Sequence, residues 1–106
     1  MSETFDQVRR FVAAGSWLPK SHALIRLERR SILMTDVLSG LETAEIVEDY
    51  PQDQRGPSIL ILCLDEAGLP IHAICGIPSN NARVTHLVTV YRPDPLEWFD
   101  DWKTRR

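Results

Sequence analysis

Only two cysteines occur in the 106 residues, Cys63 and Cys75, and each stands inside an apolar run. Neither a disulfide framework nor a structural metal site is therefore expected to hold the fold. If the flanking strands meet at a tight turn over Ala67-Gly68, Cys63 falls opposite about His72 rather than Cys75. Two free, buried thiols then suit a reducing, cytoplasmic setting. No apolar run is long enough to span a bilayer, and Glu3 and Asp6 stand where a secretory leader carries base, so neither a membrane span nor a signal peptide is expected. Also missing are a glycine-rich phosphate loop, a Gly-x-Ser-x-Gly elbow and histidine–carboxylate spacing for a metal. Hydride transfer, ATP hydrolysis and zinc hydrolysis thus lack their usual signatures, and no cofactor is expected. Positive charge is not in excess either: 12 Lys+Arg against 15 Asp+Glu leave a net charge of -3, which disfavours non-specific coating of nucleic acid.

What is present is ordinary globular chemistry. With 43% hydrophobic and 25% charged residues, residues 1–106 are expected to form a single domain with its own core. The charge is uneven: Lys20, Arg26, Arg29 and Arg30 face Glu28 alone, whereas the stretch from Asp94 to Asp101 is acidic, so a local basic face is compatible with an acidic protein.

The periodicity predicts helices first and strands later. Phe5, Val8, Phe11 and Val12 recur at helical spacing over Ser2 to Ala14, with Ser2 or Thr4 as cap and Gly15 as stop. Trp17-Leu18-Pro19 breaks that pattern, and Ser21 reads as the N-cap of a second helix. Thr35 to Ser39 forms a short third helix closed by Gly40. After Gly40 the period becomes extended. Glu45 to Tyr50 suits an edge strand, and Pro51 to Pro57 is a polar loop. Ser58 to Leu64 and Leu69 to Ile77 form a hairpin across Asp65-Glu66-Ala67-Gly68, and Val84 to Tyr91 is the fourth strand. Leu96 to Lys103 is predicted as a short helix carrying Trp98, Phe99 and Trp102. The expected class is α+β: two or three N-terminal helices on a four-stranded antiparallel meander, with a short C-terminal helix.

In the assumed register Leu60, Leu62, Leu64, Ile71, Ala73 and Cys75 share one sheet face, and Ile59, Ile61, Cys63, His72 and Ile74 share the other. Both faces are apolar, and leaving one open would forfeit about 1.5–3 kcal/mol for each large side chain. The helices cover one face. The aromatic C-terminus or a partner, such as a second copy in a homodimer, must cover much of the other.

Candidate chemistry concentrates in a few residues. Helical spacing stacks His22 over Arg26 and brings Arg29 or Arg30 onto the next turn. An imidazole beside guanidinium groups suits a phosphodiester, because arginine forks onto phosphate oxygens and histidine moves protons near neutral pH. A solvated basic face explains the same spacing. His72 reads either as a second acid/base or as a hydrogen-bonded core residue, and His86 reads as surface. Arg55 either reaches over a groove as a phosphate clamp or pairs with Glu48, Asp49 or Asp53. Tyr91 either donates to a phosphate or packs at the sheet end with its hydroxyl in water.

Laid out in order, these residues resemble a bacterial family known as domain of unknown function 4258. The resemblance runs through Ser21-x-His22-Ala23-x-x-Arg26-x-x-x-Arg30-x-Ile32, Asp36-Val37 and Glu48-Asp49-Tyr50-Pro51. It continues through Arg55-Gly56-Pro57-Ser58, Pro70-Ile71-His72 and Thr89-Val90-Tyr91-x-Pro93-Asp94-x-x-x-Trp98, nearly everything after Trp17. The resemblance implies a small toxin of a toxin–antitoxin pair, encoded beside a zinc-finger antitoxin, with a RelE/barnase-like layout similar to RelE-like and MqsR-like ribonucleases. It further implies metal-independent RNA cleavage, in which the ribose 2′-hydroxyl attacks the adjacent phosphate. His22 and His72 would then be the acid/base pair, Arg26, Arg30 and Arg55 the phosphate binders, and Tyr91 an auxiliary catalytic donor. This chain departs from such toxins in being acidic overall, so a local basic groove would have to carry the RNA. The alternative is a non-catalytic protein-binding or regulatory module that uses the second apolar sheet face.

Overall fold

The computed structural model of the chain describes residues 2–106. In chain order the elements are α1 (Glu3–Ala13), β1 (Trp17–Pro19), α2 (Ser21–Arg29), α3 (Met34–Gly40), β2 (Glu45–Tyr50), β3 (Ser58–Leu64), β4 (Pro70–Gly76) and β5 (Thr85–Tyr91). The class is α+β, with three helices and one sheet in the order β1-β5-β4-β3-β2. The sheet has five strands and is mixed, not four-stranded and antiparallel, because Trp17–Pro19 pairs in parallel with Thr85–Leu87. Three residues ending in proline are too few to show an alternation, so the strand is defined by its partner rather than by its own pattern. No described helix is long and apolar enough to cross a membrane.

Local chemistry explains the helix ends. The Phe5 N–H donates to Ser2 Oγ at 3.1 Å, and Glu3 and Asp6 complement the positive end of α1. Ser21 is not a cap: it is the first residue of α2, Lys20 occupies the cap position, and no side chain bonds there. The third helix likewise starts one residue earlier than expected, at Met34.

One face of the sheet is covered by the helices. Phe5 and Val8 of α1, Ala23 and Leu27 of α2, and Val37 of α3 share a core with Ile59, Ile61, Cys63, Ile71, Ala73, Cys75, Leu87 and Val90. This corrects the expected faces. The pairing runs Cys63↔Ile71 and Leu62↔His72, one residue away from the assumed register. Asp65 causes the shift: it accepts from the Gly68 N–H at 2.9 Å through its carbonyl and from the Leu69 N–H at 2.8 Å through its carboxylate, while Gly68 takes φ +81. A five-residue connection results, and a slip of one residue exchanges a strand's faces. Both cysteines remain free and buried on the helix side, where burial pushes each thiol up to about 12.

The opposite, helix-free face is half covered by the C-terminal segment. Leu96 to Lys103 is not a helix. The Asp94 carboxylate accepts from the Leu96 N–H at 2.8 Å, and the Asp101 carboxylate accepts from the Lys103 and Thr104 N–H groups, a turn chemistry that outcompetes the helical ladder. Trp98 and Arg105 instead form an isolated antiparallel bridge. The fold places Trp98, 2% exposed, on the side of the sheet away from the helices. Trp98→Ala is expected to lower stability by about 3–5 kcal/mol, the usual cost of emptying an aromatic core position. Phe99→Ala, at a ring that is 45% exposed, is expected to cost far less. Urea denaturation of the two variants checks the difference.

Candidate functional site

A polar cluster lies under and beside that C-terminal cover. His72 and Tyr91 are register partners on β4 and β5, and both point to the helix-free face. The imidazole is 0% exposed. Its Nε2 stands 2.6 Å from the Trp102 carbonyl oxygen and its Nδ1 stands 3.1 Å from the Tyr91 hydroxyl. A carbonyl only accepts, so Nε2 carries the proton and Nδ1 accepts from Tyr91. Trp98 meets the imidazole edge to face, with centroids 4.6 Å apart. Burial lowers the imidazole pKa, against an opposing effect of the Trp102 carbonyl.

Charged groups surround this pair. Arg105 donates to the Glu48 carboxylate at 2.8 Å and stacks 4.6 Å over the Trp98 ring. The Arg105 guanidinium, then the Tyr50 hydroxyl, hold the Glu48 carboxyl below the usual range. Burial raises the Tyr91 hydroxyl, with Arg105 opposing and Glu48 reinforcing that shift. Glu48 and Arg105 thus act electrostatically on both His72 and Tyr91. Chemically, the half-buried Tyr91 hydroxyl links a sealed base to the outside: its oxygen can accept a proton while its own proton passes to Nδ1.

The remaining predicted residues lie elsewhere. His22 Nε2 accepts from Arg26 Nε at 2.9 Å on α2, so the stacking expected from helical spacing is present. However, α2 buries Ala23 and Leu27 against the helix-side core, on the other side of the sheet from His72. The structure therefore does not bring His22 and His72 into one cleft. Arg30 caps the end of α2 and is exposed. Arg55 extends from the loop after β2 with its side chain 87% exposed, and of its three expected acidic partners it approaches Asp53, at 3.5 Å. Among the described residues no group of three His, Cys, Asp or Glu stands close enough to hold a metal ion.

Arg105 and the Trp102 carbonyl carry no signal in the sequence, and Glu48 reads there as an edge-strand residue and a candidate partner for Arg55. Arg105 and Glu48 are 57 positions apart. A lone arginine near the end of the chain carries no periodic or spacing signal that would connect it to an edge strand. Lys20, read as part of a basic stretch with Arg26, Arg29 and Arg30, and His86, read as surface, both line an open groove further along the same sheet face.

The buried imidazole makes stability depend on pH. The folded pKa of His72 lies below its ordinary 6.5, and His86 is shifted in the same direction. The unfolded chain therefore binds more protons as pH falls through that value, and stability present above it is lost toward the folded pKa. The depressed carboxylates Glu48 and Asp65 act only at lower pH, because their ordinary values are 4.5 and 3.8. The urea midpoint is expected to fall between about pH 7.5 and about pH 5, with a shallower fall in His72→Gln. Equilibrium urea titrations across that range check it.

No curated protein and no solved structure matches this chain. A family model matches residues 20–92, from Lys20 through β5 to Arg92. The matched stretch includes Glu48, His72 and Tyr91 and stops before the segment that covers them. By this match over more than half its length, the chain belongs to the family described as Domain of unknown function (DUF4258).

Proposed function

We propose that this chain is a toxin-like, metal-independent endoribonuclease of a bacterial toxin–antitoxin pair, working from the helix-free face of its sheet. The observation that supports it is the Tyr91–His72 hydrogen bond of 3.1 Å beside the Glu48–Arg105 pair. In this reading the ribose 2′-hydroxyl passes its proton to the Tyr91 oxygen as Tyr91 passes its own to His72 Nδ1. The 2′-oxygen bonds to phosphorus, the bond from phosphorus to the 5′-oxygen breaks, and that oxygen takes a proton from water. The hydroxide left is neutralised when His72 returns its proton through Tyr91. The products are a 2′,3′-cyclic phosphate and a 5′-hydroxyl. The imidazolium formed keeps its Nε2 proton on the Trp102 carbonyl at 2.6 Å, which offsets part of the cost of a buried cation. Arg105, 59% exposed along its side chain, faces the charge that develops on the phosphate oxygens.

His22, Arg26 and Arg30 are assigned no chemical step, because α2 lies across the sheet from Tyr91. An antitoxin of the zinc-finger type is the proposed partner, and RNA the proposed substrate. A second reading, a non-catalytic protein-binding module that can also self-associate, is favoured by a specific observation: both ring nitrogens of His72 are engaged and its ring is fully sealed.

Cleavage of RNA by the purified full chain in the presence of a chelator decides between these readings. Tyr91→Phe keeps the ring and removes the relay, so its rate is expected to drop by about 100-fold or more. His22→Ala is expected to stay within about twofold of the parent, since general acid–base help of the usual size would cost far more to lose. No cleavage by the parent, or full activity in Tyr91→Phe, overturns the nuclease reading.

A further inference from the structure

Beyond the C-terminal cover, the helix-free face opens into a groove of about 550 Å³. Its floor is apolar: Ile74 of β4 and Val88 of β5 are half-buried there. Its rim is cationic. Lys20 enters from the β1–α2 junction, where its N–H donates to the Leu87 carbonyl at 2.9 Å, so the backbone beside the side chain is held by β5. His86 lies on β5 and Arg55 on the loop opposite. Among the described residues Lys20 makes no salt bridge, so its charge is uncommitted.

The one acid in the lining is already engaged. Asp53 accepts from the Arg55 backbone N–H at 2.9 Å and from the Ser58 hydroxyl at 3.2 Å. Its contact with Arg55 Nε is only 3.5 Å, on a guanidinium that is mostly exposed. The carboxylate therefore shapes the loop and leaves the guanidinium face of Arg55 open to another anion. The wall itself is firm. The Ser79 N–H donates to the Arg55 carbonyl at 3.1 Å, and Gly56, at φ +116, packs so closely that a Cβ would stand 2.0 Å from the Ile77 carbonyl oxygen.

We propose that this groove binds a nucleotide, its phosphate held between Lys20, Arg55 and His86 and its base lying on Ile74 and Val88. The size is that of a small-molecule site, and the pairing of an apolar floor with a cationic rim matches the two halves of a nucleotide. Apolar ligands would leave the rim unused, and a bare phosphate would leave the floor uncovered. His86 adds a reporter: burial, then the charge of Lys20, hold it below its ordinary pKa, and the negative charge of a bound phosphate would favour the protonated ring. The other charged groups facing it across the groove are Arg55 and Asp53. The site extends the nuclease reading by naming where a nucleotide next to the cut would sit, but its occupancy is measured independently of cleavage.

Titration calorimetry of the full chain with adenosine 5′-monophosphate, adenosine and inorganic phosphate tests the site. The monophosphate is expected to bind at least about tenfold more tightly than either part. The double variant Lys20→Met/Arg55→Gln, which alters two exposed side chains, is expected to weaken it by at least about tenfold without moving the melting temperature. In the parent, saturating monophosphate is expected to raise the His86 pKa read by NMR. No saturable binding, or binding equal for adenosine and untouched by the double variant, overturns the proposal. The Tyr91→Phe cleavage result stands apart from either outcome.

Discussion

A sheet that is apolar on both sides needs cover on each, and this chain supplies it from its two ends, fully on one side and in part on the other. The N-terminal helices bury Ile59, Ile61, Cys63, Ile71, Ala73 and Cys75 on one side. On the other, the last residues fold back without forming a helix and anchor through two contacts to a single side chain, the Trp102 carbonyl and the Trp98 ring on His72. His72 is thus the point where the C-terminal segment is fastened. A hydrogen bond to a buried imidazole contributes about 1 kcal/mol net, whereas leaving that nitrogen unpaired would cost the full desolvation of the group, so the contact matters more by its absence than by its presence. Surface pairs such as Lys103–Glu45 and Arg105–Glu48 add little to the fastening in water.

The same fastening divides the helix-free face in two. At one end His72, Tyr91, Glu48 and Arg105 sit beneath or beside the cover, in surroundings that favour a neutral imidazole and a protonated phenol. At the other end the cover stops, and Lys20, Arg55 and His86 rim an open groove. The closed end offers oriented proton donors and acceptors with restricted access; the open end offers charge and space without a strong base. A phosphate ester lying along the face would meet both environments, which is why the two proposals fall on the same side of the sheet. The His22–Arg26 pair lies on α2, on the opposite side of the sheet from both.

The fold was largely legible, because burial periodicity is a local property. The spacing of Phe5, Val8, Phe11 and Val12 marked the first helix, and the change of period after Gly40 marked the strands. What was misread depended on partners. Trp17–Pro19 became a strand only through β5. The hairpin register turned on one carboxylate, Asp65, which bonds into its own turn. The expected C-terminal helix was overruled by Asp94 and Asp101, whose side chains compete for backbone N–H groups.

For the site, the residue types were readable but their grouping was not. The sequence by itself determined that the sheet would be two-faced and apolar, that α2 would carry a histidine over an arginine, and that His72 would fall inside a strand, since each follows from spacing along the chain. Only the tertiary structure decided that His72 joins Tyr91 and Trp102 rather than His22, that Arg105 reaches Glu48, and that Lys20 and His86 share a groove with Arg55. These are contacts between residues distant in the chain. They depend on register and strand order, which are set by the packing of the whole molecule and not by any one segment.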